Sequence, residues 1–169
     1  MVLAVCSNGT YVSPRWAKWF AGRDVRSYSR LVPADLPVTQ FAFAGPLRDK
    51  LVAAVLDGSK TATTGLLQDY VLDGEPLPVV GARSAVVDSA GHRVAVIEVT
   101  EVRVTRLGDV DLDHAWDEGE WYDSVAAWRA GHEEYWHGSD YRRWLGSPGF
   151  VVNDDTLALL KRFRLVERL

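Results

Sequence analysis

The chain has 169 residues, a formal net charge of −4 and a pI near 5.5, with 47% hydrophobic and 25% charged residues. That length suits one domain burying about 70% of the surface its unfolded form exposes, and the composition is that of a globular chain, not a disordered one. The acidic balance excludes a broad basic face for duplex nucleic acid, the lone Cys6 excludes an internal disulfide or a multi-cysteine metal site, and no apolar run is long enough to cross a bilayer as a helix. Because Met1–Cys6 also lacks the basic start and length of a signal peptide, the expected location is the cytoplasm.

Residues 1–40 read as an aromatic-rich extension packed on the domain that follows, residues 41–169, since forty residues cannot bury a core of their own. Ser13-Pro14 ahead of Trp16, Trp19 and Phe20 predicts a short capped helix stopped at Gly22, and the two prolines of Leu31–Pro37 predict an irregular connector. Pro46 opens a helix with Leu47, Leu51, Ala54 and Val55 on one stripe, closed by Gly58. Asp73–Pro78 is a loop, Ser84–Val87 a short strand, and Ser89–His92 a hairpin turn into the long strand Arg93–Arg106. In that strand Val94 and Val96 share one face, Ile97 and Val99 the other, and Val102 and Val104 return to the first, which predicts bulges or a bend. A short helix or turn over residues 109–118, a helix capped at Asp123 or Ser124 and carrying Val125, Trp128, His132 and Tyr135, and a last strand Leu157–Glu167 complete an α+β pattern with a curved, mainly antiparallel sheet.

Among the motifs, Gly58-Ser-Lys60-Thr-Ala-Thr63-Thr64-Gly carries the most chemistry. The chain has four lysines against fifteen arginines, and here one lysine stands among three threonines. Arginine keeps its proton at ordinary pH, whereas a desolvated lysine can give one up and act as base or nucleophile. Lys60 equally suits neutralisation of the C-terminal end of the preceding helix, and the threonines suit a strand.

This stretch resembles the glycine–lysine–threonine signature of the ASCH domain family. The resemblance extends in order through Tyr70, Gly74–Pro78, Gly81, Val96–Val102, Glu118-Gly-Glu120, Ser124, Trp128-Arg129-x-x-His132 and Arg162–Arg164. Trp121-Tyr122 and Gly81-Ala82 depart from the Gly-Asp pairs usual at those points. The resemblance implies a PUA-like fold, a small bent β-barrel flanked by helices. It implies a hydrolase acting on RNA or modified nucleosides, similar either to the amidohydrolases that deacetylate N4-acetylcytidine or to the single-strand ribonucleases of the family. By motif the catalytic residues would be Lys60, Thr63 and Glu120, with Thr64, Tyr70, Glu118, Ser124 and Arg129 at the substrate. Thr63 would serve as nucleophile, Lys60 as its base, and Glu120 as proton donor or orienting carboxylate. Residues three apart in a regular strand face opposite sides, so Lys60 and Thr63 converge only if the backbone turns between them.

Other readings stand beside these. Glu118 and Glu120 fit a solvated acidic turn, Arg129 a surface position, and the aromatics a core. His114, Asp117, Glu118 and Glu120 lie within seven residues and could suit a hard divalent cation, but they follow no ligand motif, so the expectation is no cofactor, with a divalent metal as the alternative. The expected partner is single-stranded RNA or a modified nucleoside. The competing function is a non-catalytic RNA-binding module, a use common among PUA-like domains.

Overall fold

The computed structural model describes residues 35–74 and 76–169; the expected helix around Trp16 and Trp19 lies outside the described residues. Helix α1, Pro46–Asp57, begins with proline at its first position and ends at Gly58 in the left-handed region (φ 89°), whose N–H donates to the carbonyls of Ala54 and Val55. Its buried stripe of Leu51, Val52 and Val55 packs with Phe41, Val86, Ile97 and Phe163. The chain then forms β2, Ala62–Leu66, after the two-residue strand β1, Val38–Thr39. Helix α2, Leu67–Asp73, ends at Gly74.

Strands β3, Arg83–Val87, and β4, Arg93–Arg106, form the expected hairpin, its turn held by Asp88 Oδ1, which accepts from the N–H groups of Ala90 and His92. Beyond a 3-10 turn at Leu107–Asp109 come helices α3, Leu112–Asp117, α4, Val125–His137, and α5, Ser139–Leu145. Strand β5, Leu157–Arg168, closes the chain. Among the described residues the sheet order is β1-β3-β4-β5-β2, and only the β1–β3 pair is parallel.

The phase switches in β4 correspond to register shifts against β5 at Val96/Ile97 and between Val99 and Glu101. The sheet does not close into the expected barrel among the described residues, because β1 and β2 stand at its two edges and are not paired to each other. Around Ala95, Val96 and Ile97 β4 is buried on both faces, whereas Val104, expected to turn inward again, is 45% exposed. A second apolar cluster, around Leu66, Leu107, Trp128, Trp136 and Leu160, joins α3 and α4 to the β2–β5 edge of the sheet. That edge strand and α3 carry the groups described next. No helix among the described residues is long and apolar enough to cross a membrane.

Candidate functional site

Lys60 stands between the end of α1 and the start of β2, outside the regular strand, so the two-residue alternation does not govern where its side chain goes. Its N–H donates to the Ala54 carbonyl at 3.0 Å, and the next N–H, of Thr61, donates to the Asp117 carbonyl at 2.7 Å. The second bond pulls residues 59–61 against the turn after α3. The approach is so close that a Cβ on Gly119 would collide with the Ser59 carbonyl, and Gly119 has φ 66°. Only glycine meets both demands at low cost. The sequence Glu118-Gly-Glu120 is thus a device for bringing two carboxylates to Lys60.

The Lys60 side chain is buried, and its Nζ donates to the Glu118 carbonyl at 3.0 Å and to Glu120 Oε1 at 2.9 Å, with Glu118 Oε2 at 3.6 Å. The first two are hydrogen bonds and the third is an ion pair at longer range. Glu120 keeps more contact with solvent, and its other oxygen accepts from the Tyr122 hydroxyl at 3.3 Å. Burial, followed by the negative charge of Glu120, pushes the Tyr122 phenol up to about 12.

Glu118 is the hub of the arrangement. At 1% exposure it accepts from the Thr64 hydroxyl at 2.6 Å and Trp128 Nε1 at 3.1 Å, and faces His114 Nε2 and His132 Nε2 at 3.2 Å each. Since the single Thr64 proton goes to Glu118, the 2.9 Å contact from His114 Nε2 to Thr64 Oγ1 runs from the histidine N–H to the hydroxyl. Burial works against ionisation of Glu118, but the charges of His132 and Lys60 and the bonds from both histidines outweigh it, holding its pKa well below the usual carboxylate range.

Lys60, Thr63, Thr64, Tyr70, Glu118, Glu120, Tyr122 and His132 all line one cleft of about 950 Å³, with Phe43, Tyr135 and Trp144 on its walls. The cleft therefore gathers six of the eight expected site residues. The Thr63 hydroxyl makes no hydrogen bond among the described residues, whereas that of Thr64 is fully engaged. Ser124 and Arg129 do not line the cleft. Ser124 caps α4, its hydroxyl oxygen accepting from the Ala127 N–H at 3.2 Å, and Arg129 pairs with Glu133 at 2.6 Å and Asp154 at 3.4 Å. Sequence reasoning assigned no role to His132 or Tyr122 and weighed His114 only as a metal ligand. The i, i+4 spacing of His114 and Glu118 on α3 was the available signal. Asp117, the remaining member of that acidic group, pairs with Arg162, and among the described residues no group of three or more His, Cys, Asp or Glu is arranged to hold a metal ion.

The family model of the ASCH domain matches residues 38–167. Two solved structures resemble the chain over most of its length. An ASCH domain from Lactobacillus crispatus is 26% identical, with a TM-score of 0.66, over 83% of this chain and 87% of that one. A protein from Enterococcus faecalis, 21% identical, has a TM-score of 0.69 over 90% of this chain and 86% of its own. The fold is accordingly the PUA-like fold of ASCH domains. No curated protein matches the sequence.

Proposed function

The chain belongs to the ASCH domain family, and from that premise we propose that it is a hydrolase that opens an N-acyl amide on a modified nucleoside. The observation that carries this reading is the 2.9 Å pair of buried Lys60 with partly exposed Glu120, on the wall of the same cleft as the unengaged hydroxyl of Thr63. Lys60 passes a proton to Glu120 and, as the neutral amine, takes the hydroxyl proton of Thr63 while Thr63 Oγ1 attacks the acyl carbon. Glu120 then protonates the amide nitrogen as the C–N bond breaks, leaving an acyl ester on Thr63 and the free amine. Water, deprotonated by Glu120, cleaves the ester, Thr63 recovers its proton from Lys60, and the carboxylic acid departs. The final proton shift from Glu120 to Lys60 restores the resting pair.

The charge of the cleft favours a nucleoside over an RNA strand. Asp69, Asp73, Glu118, Glu120, Glu134 and Asp140 line it against Arg48, Lys60, Lys161 and His132, so a polyanion meets net repulsion and a neutral ligand does not. Its volume falls within the range of about 300–1,000 Å³ common for small-molecule sites, and Tyr70, Tyr122 and Tyr135 put aromatic rings in its lining.

The test is a panel of N-acylated nucleosides and short single-stranded RNAs, with and without EDTA, against Lys60→Ala, Thr63→Ala and Glu120→Gln. Each variant should lose most amide hydrolysis, and a second substitution should add little to the first because the three act as a unit. Full activity of Lys60→Ala would end this reading. Cleavage of RNA would assign the strand as substrate, and RNA binding without turnover would make the domain a binding module.

A further inference from the structure

His132, its side chain 11% exposed, is an ionisable group that the proposed hydrolysis does not use. Its Nδ1 lies 3.0 Å from the Trp128 carbonyl and its Nε2 3.2 Å from Glu118 Oε2. A carbonyl and a carboxylate only accept, so a ring that carries hydrogen on both nitrogens satisfies both contacts and a neutral tautomer satisfies only one. We propose that His132 is a positioning residue: as a cation it occupies the charge of Glu118 and so leaves Lys60 to Glu120.

The distances explain how this works. Glu118 Oε2 is both the oxygen that His132 holds and the one 3.6 Å from Lys60 Nζ, while Lys60 sits at 2.9 Å from Glu120. Two cations, Lys60 and His132, face two carboxylates, Glu118 and Glu120. If the ring lost its Nε2 proton, Oε2 would lose its nearest cationic partner, Lys60 would become the only cation left for two carboxylates, and it would shift toward the more buried one. The pair that exchanges a proton would then open.

Trp128, at 4.3 Å between ring centroids, and Trp136, at 5.2 Å, flank the imidazole and fix its plane. Facing it from other elements are Glu118 at the end of α3, and Glu120 and Tyr122 on the following turn, the Tyr122 ring at 6.1 Å. His114 and Lys60 reach it through Glu118. Burial opposes the cation, but Glu118 outweighs that cost and the ring titrates above its ordinary value. The positioning is therefore present below that raised pKa and lost as pH rises through it.

The effect on turnover rests on the hydrolase reading, whereas the charge state and its coupling to Lys60 do not. The experiment is NMR of the full chain with labelled histidine and lysine, titrated between about pH 5 and pH 9, beside kinetics of wild type and His132→Gln. Both His132 ring nitrogens should be protonated at neutral pH, and the Lys60 Cε signal should step at the pH where His132 titrates. His132→Gln should lower kcat by about 10-fold to 100-fold, as expected for a displaced catalytic group, leave KM nearly unchanged and abolish the alkaline limb tied to the ring. A single neutral tautomer at neutral pH, or a Lys60 signal indifferent to His132 titration, would overturn the proposal. Both signals are read in the wild type, so a variant that fails to fold does not remove the test. If the NMR behaves as expected and no substrate turns over, the hydrolase reading fails while the positioning of Lys60 stands.

Discussion

Replacing Glu118 by Gln tests the buried network at its centre. Both carboxylate oxygens accept: Oε1 from Thr64 and Trp128, Oε2 from His132 with Lys60 nearby. An amide presents one oxygen and one NH2, so whichever way it turns, donors meet donors on one side, and Lys60 and His132 lose a counter-charge. Breaking a buried pair from one side costs about 3–5 kcal/mol, a large share of a domain's net stability of about 5–15 kcal/mol. At about 2–4 °C per kcal/mol for a chain of this size, Tm should fall by roughly 6–20 °C. The pH dependence adds a signature. The lowered pKa of Glu118 contributes stability that is complete above its unfolded value of about 4.3 and is lost as pH falls through the folded one. The raised pKa of His132 contributes stability that is complete below about 6.5 and is lost as pH rises through its folded value. Wild-type Tm, followed by circular dichroism across pH, should therefore be highest between these limits, and Glu118→Gln should flatten both flanks. A fall of less than about 3 °C near pH 6, with both flanks intact, would refute the account of Glu118 as a charge hub.

Other substitutions separate stability from chemistry. Gly119→Ala puts a methyl group into the Ser59 carbonyl at a left-handed φ and should cost at least about 2 kcal/mol in urea unfolding. Gly131→Ala sets a methyl against the Tyr122 hydroxyl, which can swing away; helix propensity gains up to about 1 kcal/mol, so Tm should hold while turnover falls as Tyr122 leaves Glu120. Thr64→Val leaves Glu118 and His114 without the hydroxyl between them and should lower unfolding free energy by about 1–3 kcal/mol while the folded fraction still turns over, in contrast to Thr63→Ala.

Much of the sheet was legible because its signals are local. The apolar phase of Arg93–Arg106 predicts both the strand and its irregularities, and Gly58 and Ser124 mark helix ends by backbone and capping chemistry. Helix α5 was not, because it is a single short element held from outside, with the Tyr141 hydroxyl donating to Asp69 at 2.6 Å across 72 residues. The site divides the same way. The spacing from Lys60 to Thr63 and the pair Glu118 and Glu120 stand out in the chain. His114 meets Glu118 at helical spacing, but the contacts of Glu118 with Thr64 and Lys60 arise only when segments 54 and 58 residues apart fold together, and no periodicity encodes those. Ser124 and Arg129 belong to motifs carried by the resemblance, yet their bonds run to the α4 backbone, Glu133 and Asp154.

The carboxylates around the cleft also govern how a ligand arrives. Opposite charges within the Lys60, His132, Glu118 and Glu120 cluster cancel beyond a few ångströms, so what an approaching molecule senses from afar is the remaining acidic lining. A neutral nucleoside is neither steered nor repelled, and its association rate should be nearly flat with ionic strength. A polyanion should associate faster as salt rises, because the Debye length shrinks from about 30 Å at 0.01 M to about 10 Å at 0.1 M and hides the carboxylates. That is the reverse of the salt dependence of a protein that tracks nucleic acid through basic contacts. Under the proposed function, the cleft sorts its visitors by charge during encounter, before any side chain touches them.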